Sequence, residues 1–143
     1  MQNTVSQTAS ADSNVSAEQV AELVAQACPA KNYRGKKILL IVPDGTRTAP
    51  VGLMFQALFG QLGEVTAALD VLIALGTHQP MSEAAICQRL EITESERKER
   101  FHRVRFFNHE WDNPAALKNI GTIPSAEISQ LLPNCCCTPN ENC

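Results

Sequence analysis

Two apolar runs constrain the fold of this chain more than any other feature of its sequence. Residues 38–42 (ILLIV) contain no polar residue, and residues 69–75 (LDVLIAL) contain one. Pro43-Asp44-Gly45 ends the first run and Gly76 ends the second. Short apolar runs without polar alternation, bounded by turn residues, are typical of strands buried on both faces of a parallel sheet. We therefore predict that both runs are strands of this kind.

Helical segments separate the strands. One begins at Pro50 and runs to residue 62, and its core stripe is predicted to consist of Leu53, Met54, Ala57 and Leu58. Another follows the second strand, and residues 102–108 are predicted to form a third strand with Val104 and Phe106 on one side. The order β-α-β-α-β predicts an α/β fold, a partial, Rossmann-like parallel sheet with flanking helices and right-handed crossovers.

Capping residues indicate where the other helices begin. Ser16 and Gln19 are spaced as a capping box for a helix over residues 16–28, and Thr93 and Glu96 repeat this spacing. Ser82 can cap the helix after the second strand. Pro124 starts the predicted last helix.

The chain divides into three parts by composition. Residues 1–15 are polar, lack Lys and Arg, and are predicted to be a disordered leader rather than a secretory signal. Residues 16–132 are predicted to form the α/β domain, and residues 133–143 a cysteine-rich, unstructured tail. No apolar run approaches the roughly 20 residues needed to span a bilayer, so we expect a cytoplasmic protein without membrane contact.

Charge and cysteine content exclude several functions. The net charge of −3 and the aromatic content of 5% argue against a nucleic-acid partner. Cys28 and Cys87 lie in helical patterns, and the other four cysteines lie within residues 135–143. This placement indicates a reducing compartment rather than a disulfide framework. The spacing in the tail does not match a structural zinc site, and we assign no metal ligands.

Polar residues follow each predicted strand. Residues 44–48 (DGTRT) follow the first, residues 76–80 (GTHQP) the second, and residues 108–110 (NHE) the third. Ligands of open parallel sheets bind beyond the carboxyl ends of the strands, so these residues should face a common site.

Within that set, three features suit the binding or chemistry of a small acid. Arg47 carries a planar fork that fits carboxylate or phosphate. The backbone of Gly45 and Thr46, ahead of a helix, is a candidate anion cradle. His78 can act as an acid or a base near neutral pH.

With these residues in place, the chain resembles the nickel-pincer-dependent lactate racemase family. Residues 43–47 (PDGTR) resemble the family's Asp-x-Thr-Arg loop, and residues 76–83 (GTHQPMSE) resemble its Gly-x-His-Arg-Pro segment and the capped helix after it. Residues 108–111 (NHEW) fit the strand end that comes next in the family's order. The similarity spans residues 38–131. Gln79 stands where many members have arginine, a departure that bears on substrate preference or loop packing.

The resemblance implies an isomerase that racemises lactate or another small 2-hydroxy acid with a nickel-pincer nucleotide as cofactor. In the family this pyridinium-derived group is tethered to a lysine, and a histidine completes the nickel ligands. The resemblance implies that His78 is the first of two catalytic histidines, which exchange the substrate's hydroxyl proton while its Cα hydride moves to the cofactor. It also implies that the cofactor- and substrate-binding loop contains Asp44, Gly45, Thr46 and Arg47.

The family's second catalytic histidine, cofactor-bearing lysine and nickel-ligating histidine lie further along than this chain extends. We therefore expect a truncated N-terminal domain, inactive unless the C-terminal portion of the enzyme completes it, with an exposed apolar sheet edge. Two alternatives remain open. One is a non-catalytic module that binds a nucleotide or a carboxylate through Arg47, and the other is a metal or redox sensor built on the tail cysteines.

Overall fold

A computed structural model describes residues 4–131, which belong to two compact units, Met1–Trp111 and Asp112–Cys143. The described part of the first unit contains α1 (Ala17–Ala27), a 3-10 turn (Ala30–Asn32), β1 (Lys37–Pro43), α2 (Val51–Leu62), β2 (Ala68–Ala74), α3 (Glu83–Arg89), α4 (Glu94–Glu99) and β3 (Phe106–Asn108). The described part of the second unit contains α5 (Ser125–Leu131). None of the helices within residues 4–131 is long and apolar enough to cross a membrane.

The three strands form one parallel sheet in the order β1-β2-β3. Leu40 of β1 lies beside Val71 of β2, and Val71 lies beside Phe106 of β3. The predicted α/β fold, a partial parallel sheet with flanking helices, is confirmed.

Helix starts follow the capping chemistry of the sequence. The Ser16 amide donates to the Gln19 side chain at 2.8 Å while the Gln19 amide donates to the Ser16 hydroxyl, and Thr93 and Glu96 form the same box. The Ser82 hydroxyl caps α3. The leader at residues 1–15 stays a prediction, and the predicted tail at residues 133–143 lies outside the described residues.

One face of the sheet, here called the packed face, carries the core. Val71 and Ile73 of β2 are fully buried, and Phe101 and Leu90 are buried with them. The ring of Phe101 lies 5.2 Å from that of Phe55 on α2, a tilted contact. Aromatic pairs at such separations add to the stability gained from burial.

The opposite face, here called the open face, corrects the prediction that β1 is buried on both sides. Leu39 and Ile41 lie on it and are 51% and 67% exposed, and Phe107 of β3 is 42% exposed. On the same face, the Arg105 guanidinium donates two hydrogen bonds to Asp70 and the Arg105 amide a third, which explains a carboxylate inside an apolar strand. β1 forms one edge of the sheet, and the buried side chains of α2 and α3 belong to the core on the packed face.

Two further predictions were wrong in detail. The buried positions of α2 are Val51, Gly52, Phe55 and Leu62, and Met54 of the predicted stripe is 40% exposed. The buried side of α2 differs from the predicted one because the ring of Phe55 packs against the rings of Phe59 and Phe101. The third strand is shorter than predicted, since the Val104 amide donates to the Phe101 carbonyl in a turn that places both side chains in the core.

Candidate functional site

The first half of the site is the loop after β1, residues 44–47, here called the Asp44 loop. Asp44 is 6% exposed, and its Oδ1 accepts hydrogen bonds from the Thr46 amide at 3.1 Å and the Thr46 hydroxyl at 2.5 Å. Such local bonds from an aspartate to the residue two positions later define a tight turn. The Thr46 amide, predicted as part of an anion cradle, is therefore engaged by Asp44. A Cβ at Gly45 would meet no atom within 4 Å, so steric crowding does not require glycine there.

The second half is the turn after β2. Gly76 has a φ of +61°, a backbone conformation that residues with a side chain rarely adopt. The His78 amide donates to the Leu75 carbonyl at 3.0 Å and closes the turn. This turn brings His78 Nδ1 to 2.6 Å from Asp44 Oδ2. The two predicted residues thus meet at the carboxyl edge of neighbouring strands, although 34 positions separate them.

The hydrogen bonds on Asp44 determine its charge. Those from the Thr46 hydroxyl, from His78 and from the Thr46 amide lower the pKa of Asp44 to about 2, against the opposing effect of burial. Asp44 is therefore ionised at neutral pH and can only accept hydrogen bonds, so His78 Nδ1 donates. In the neutral imidazole the remaining lone pair then lies on Nε2, which makes Nε2 the atom that can take up a proton.

A cleft of about 510 Å³ opens between the two loops. Its polar lining includes Asp44, Thr46, Arg47, Thr77 and His78, and its apolar lining comes from the ends of β1 and β2. Side chains of small-molecule sites commonly enclose volumes of roughly 300–1,000 Å³. A larger cavity of about 870 Å³ lies along α3 and α4 and contains none of the predicted site residues.

The residues at the end of β3 and directly after it support the turn after β2 and do not line the cleft. The Asn108 side chain exchanges two hydrogen bonds of 2.9 Å with the backbone of Met81. Trp111 Nε1 donates to the His78 carbonyl at 3.2 Å. The predicted candidate His109 bonds through its amide to the Ile73 carbonyl. These contacts hold the chain segment that carries His78.

Sequence reasoning missed Arg89, the last residue of α3. Its Nε donates to the Pro43 carbonyl at 3.2 Å and its Nη2 to the Arg47 carbonyl at 2.8 Å. The two carbonyls stand at the ends of the Asp44 loop. No spacing or composition signal indicates this role, because the partners are main-chain groups present at every position.

The donor groups for a metal are limited in the described part of the chain. Within residues 4–131, no three His, Cys, Asp or Glu side chains are grouped to hold a metal ion. Cys28 and Cys87 are free thiols. The tail cysteines of the sensor alternative lie outside the described residues.

The comparisons with known proteins agree with the fold. A family model described as the lactate racemase N-terminal domain matches residues 2–131. A crystal structure of a protein from Thermotoga maritima is 30% identical in sequence and superposes with a TM-score of 0.70. That match covers 82% of this chain and 27% of the Thermotoga chain, so this chain spans about a quarter of its relative. No curated protein sequence matches the chain.

Proposed function

The chain belongs to the lactate racemase N-terminal domain family, and from this premise we propose that its cleft binds a small 2-hydroxy acid such as lactate. In this proposal the domain contributes one half of a racemase site. The single observation that carries it is the hydrogen bond between His78 and the ionised Asp44. A histidine with one ring nitrogen fixed by a carboxylate has its other nitrogen oriented for proton transfer.

His78 is the proposed acid–base residue. Its side chain is 56% exposed, so a ligand in the cleft can reach the ring. Nε2 would accept the proton of the substrate's 2-hydroxyl group and return it later. Asp44 would keep the ring in this orientation during the transfer, because its carboxylate accepts a hydrogen bond from Nδ1 at 2.6 Å.

Arg47 is the proposed carboxylate-binding residue. It is exposed and lines the same cleft as His78. A guanidinium binds a carboxylate through two parallel hydrogen bonds, which fixes the orientation of the acid as well as its position. Binding at Arg47 would then direct the 2-hydroxyl group towards His78.

The described residues do not form a complete site for the nickel-pincer nucleotide that the family implies. The cleft contains one carboxylate, already bonded to Thr46 and His78, one imidazole and the Arg47 guanidinium. No third metal ligand is grouped with the carboxylate and the imidazole within residues 4–131. We therefore derive no step through the cofactor. The proposal assigns its tether and its nickel ligands to a further portion of the enzyme.

That further portion is the proposed partner. The Thermotoga relative is far longer than the matched region, and the open face offers apolar surface at Leu39, Ile41 and Phe107 for additional polypeptide. The racemase activity, in a cytoplasmic setting that suits the free thiols of Cys28 and Cys87, is thus proposed for the assembled enzyme and not for this domain alone.

The test compares lactate with propionate, which has the carboxylate but lacks the 2-hydroxyl group. Chemical shifts of the isotope-labelled chain would be followed during titration with D-lactate, L-lactate and propionate. We expect both lactate enantiomers to bind more tightly than propionate, since a racemase must accept both and His78 contacts the hydroxyl group. Arg47→Met should weaken all three ligands, and His78→Ala should abolish only the preference for lactate.

Arg103→Met is the matched control, because Arg103 is exposed and does not line the cleft. It should leave all three affinities unchanged. Loss of binding in Arg47→Met with an unchanged lactate preference in His78→Ala would instead support the non-catalytic carboxylate-binding module. Equal shifts for lactate and propionate in the unmodified chain would contradict the assigned role of His78.

A further inference from the structure

Arg89 connects α3 to both ends of the Asp44 loop. Its guanidinium reaches the Pro43 carbonyl just before Asp44 and the Arg47 carbonyl at the end of the loop. The two hydrogen bonds go to main-chain oxygens, so Arg89 acts on Asp44 through the loop backbone and not through charge pairing with its carboxylate. The planar fork of an arginine can serve two acceptors at once, which a single lysine ammonium on a flexible chain does less well.

The end of α3 is itself firmly held. Leu90 is fully buried, and Glu91 follows with a φ of +55°, while the Glu91 and Ile92 amides bond back to carbonyls of α3. This is a Schellman-type helix end. Glu91 packs on α2, since a Cβ at Gly52 would lie 2.6 Å from its side chain, and the side-chain Nε2 of Gln56 donates to the Glu91 carbonyl at 3.2 Å.

From this arrangement we propose that Arg89 is a positioning residue, which fixes the Asp44 loop so that Asp44 can hold and orient His78. The inference rests on the proposed function for the use made of His78. The geometry it explains, however, exists without substrate. The end of α3 is fixed on α2, and Arg89 bonds the Asp44 loop to it. The hydrogen bonds between Asp44 and Thr46 lie within the loop and do not fix its position.

Without Arg89, the Asp44–Thr46 turn can persist because its bonds are local, and the pairing of Pro43 with Ala74 still anchors its start. The loop then loses its second fixed point, at the Arg47 carbonyl, and with it part of its placement relative to β2. The bond between Asp44 and His78 spans 34 positions and depends on that placement. Its loss would remove one of the contacts that keep the pKa of Asp44 at about 2. The pKa of Asp44 therefore reports on the positioning, with no need for lactate or cofactor.

The experiment follows the side-chain carboxyl carbons of Asp44 and Asp70 by nuclear magnetic resonance during an acid titration of the full chain. The variants are Arg89→Met, which removes the fork, and Arg89→Lys, which keeps the charge. Both should raise the pKa of Asp44 part of the way from about 2 towards 3.8. The pKa of Asp70 should stay below its ordinary value in both, because Arg105 holds it on the open face.

Three results would overturn the inference. An unchanged Asp44 pKa in a folded Arg89→Met variant would show that the loop needs no support. A pKa restored by Arg89→Lys would show that charge, and not the bridge between two carbonyls, is what matters. Simultaneous shifts of Asp44 and Asp70 would show a general structural role. Failure of lactate to bind would contradict the proposed function but would leave this result standing.

Discussion

Threonine substitutions at Ile41 and Ile73 test how the sheet is covered. The two residues lie on neighbouring strands, Ile41 on the open face and Ile73 on the packed face. Ile41 is 67% exposed and Ile73 is fully buried. Threonine keeps the β-branched shape that strands favour, so local backbone preference changes little. The two variants therefore differ mainly in the burial of the altered atoms.

The expected cost follows from that burial. Replacing isoleucine by threonine removes apolar surface worth ~1–1.5 kcal/mol when fully buried, at ~0.8 kcal/mol per methylene. About a third of Ile41 is buried, so Ile41→Thr should lower the free energy of unfolding by only ~0.5 kcal/mol. Ile73→Thr loses the full apolar contribution and buries a hydroxyl group at a further ~1–3 kcal/mol. We expect a total of ~2–4 kcal/mol for Ile73→Thr.

Urea unfolding of the two variants and the unmodified chain, followed by circular dichroism, gives both differences. A cost at Ile41 equal to that at Ile73 would mean that Ile41 is buried in solution and would refute the description of the open face. Repeating the measurement over a range of protein concentrations would then show whether a second copy of the chain covers Ile41, because association makes stability depend on concentration.

Three further predictions concern the site and its supports. The contacts that lower the pKa of Asp44 stabilise the fold fully above pH 3.8, and this stabilisation is lost as the pH falls through about 2. Between pH 3.8 and about 2, the free energy of unfolding should therefore fall less in the Asp44→Asn variant than in the unmodified chain. An equal fall in both would contradict this prediction. Glu91→Gly should raise the free energy of unfolding by ~1 kcal/mol by relieving a left-handed conformation, and a lower melting temperature would show that its packing matters more. Asn108→Ala removes both bonds to Met81 and should speed hydrogen exchange of the Met81 amide, whereas unchanged exchange would exclude a supporting role.

The position of the site could be predicted from the sequence because strand order decides it. Two apolar runs separated by a helix imply parallel neighbours, and the residues after them must then share an edge. Asp44 and His78 do so, 2.6 Å apart. The identity of the hydrogen-bonded atoms, and hence the free position of Nε2, needed the structure.

The resemblance leads us to expect an exposed apolar sheet edge, but which face of the sheet is uncovered could not be predicted, since hydrophobicity does not specify where a partner lies. The run at residues 38–42 is as apolar as a central strand, yet Leu39 and Ile41 are exposed at an edge strand. The apolar pattern indicates that both faces of the strand favour burial, but it does not specify which polypeptide buries them. The role of Arg89 could not be predicted for a different reason. Its acceptors are main-chain carbonyls, which every residue type has, so the sequence does not show them.

The site and its supports lie in one continuous stretch of the chain, from β1 to Trp111. Asp44, His78, Arg89 and Asn108 all belong to it, and the partners of their side-chain hydrogen bonds lie within it as well. In the proposed function, this single stretch would carry its half of the site as one piece. Insertions, deletions or replacements after Trp111 would then leave the hydrogen bond between Asp44 and His78 and its supports in place.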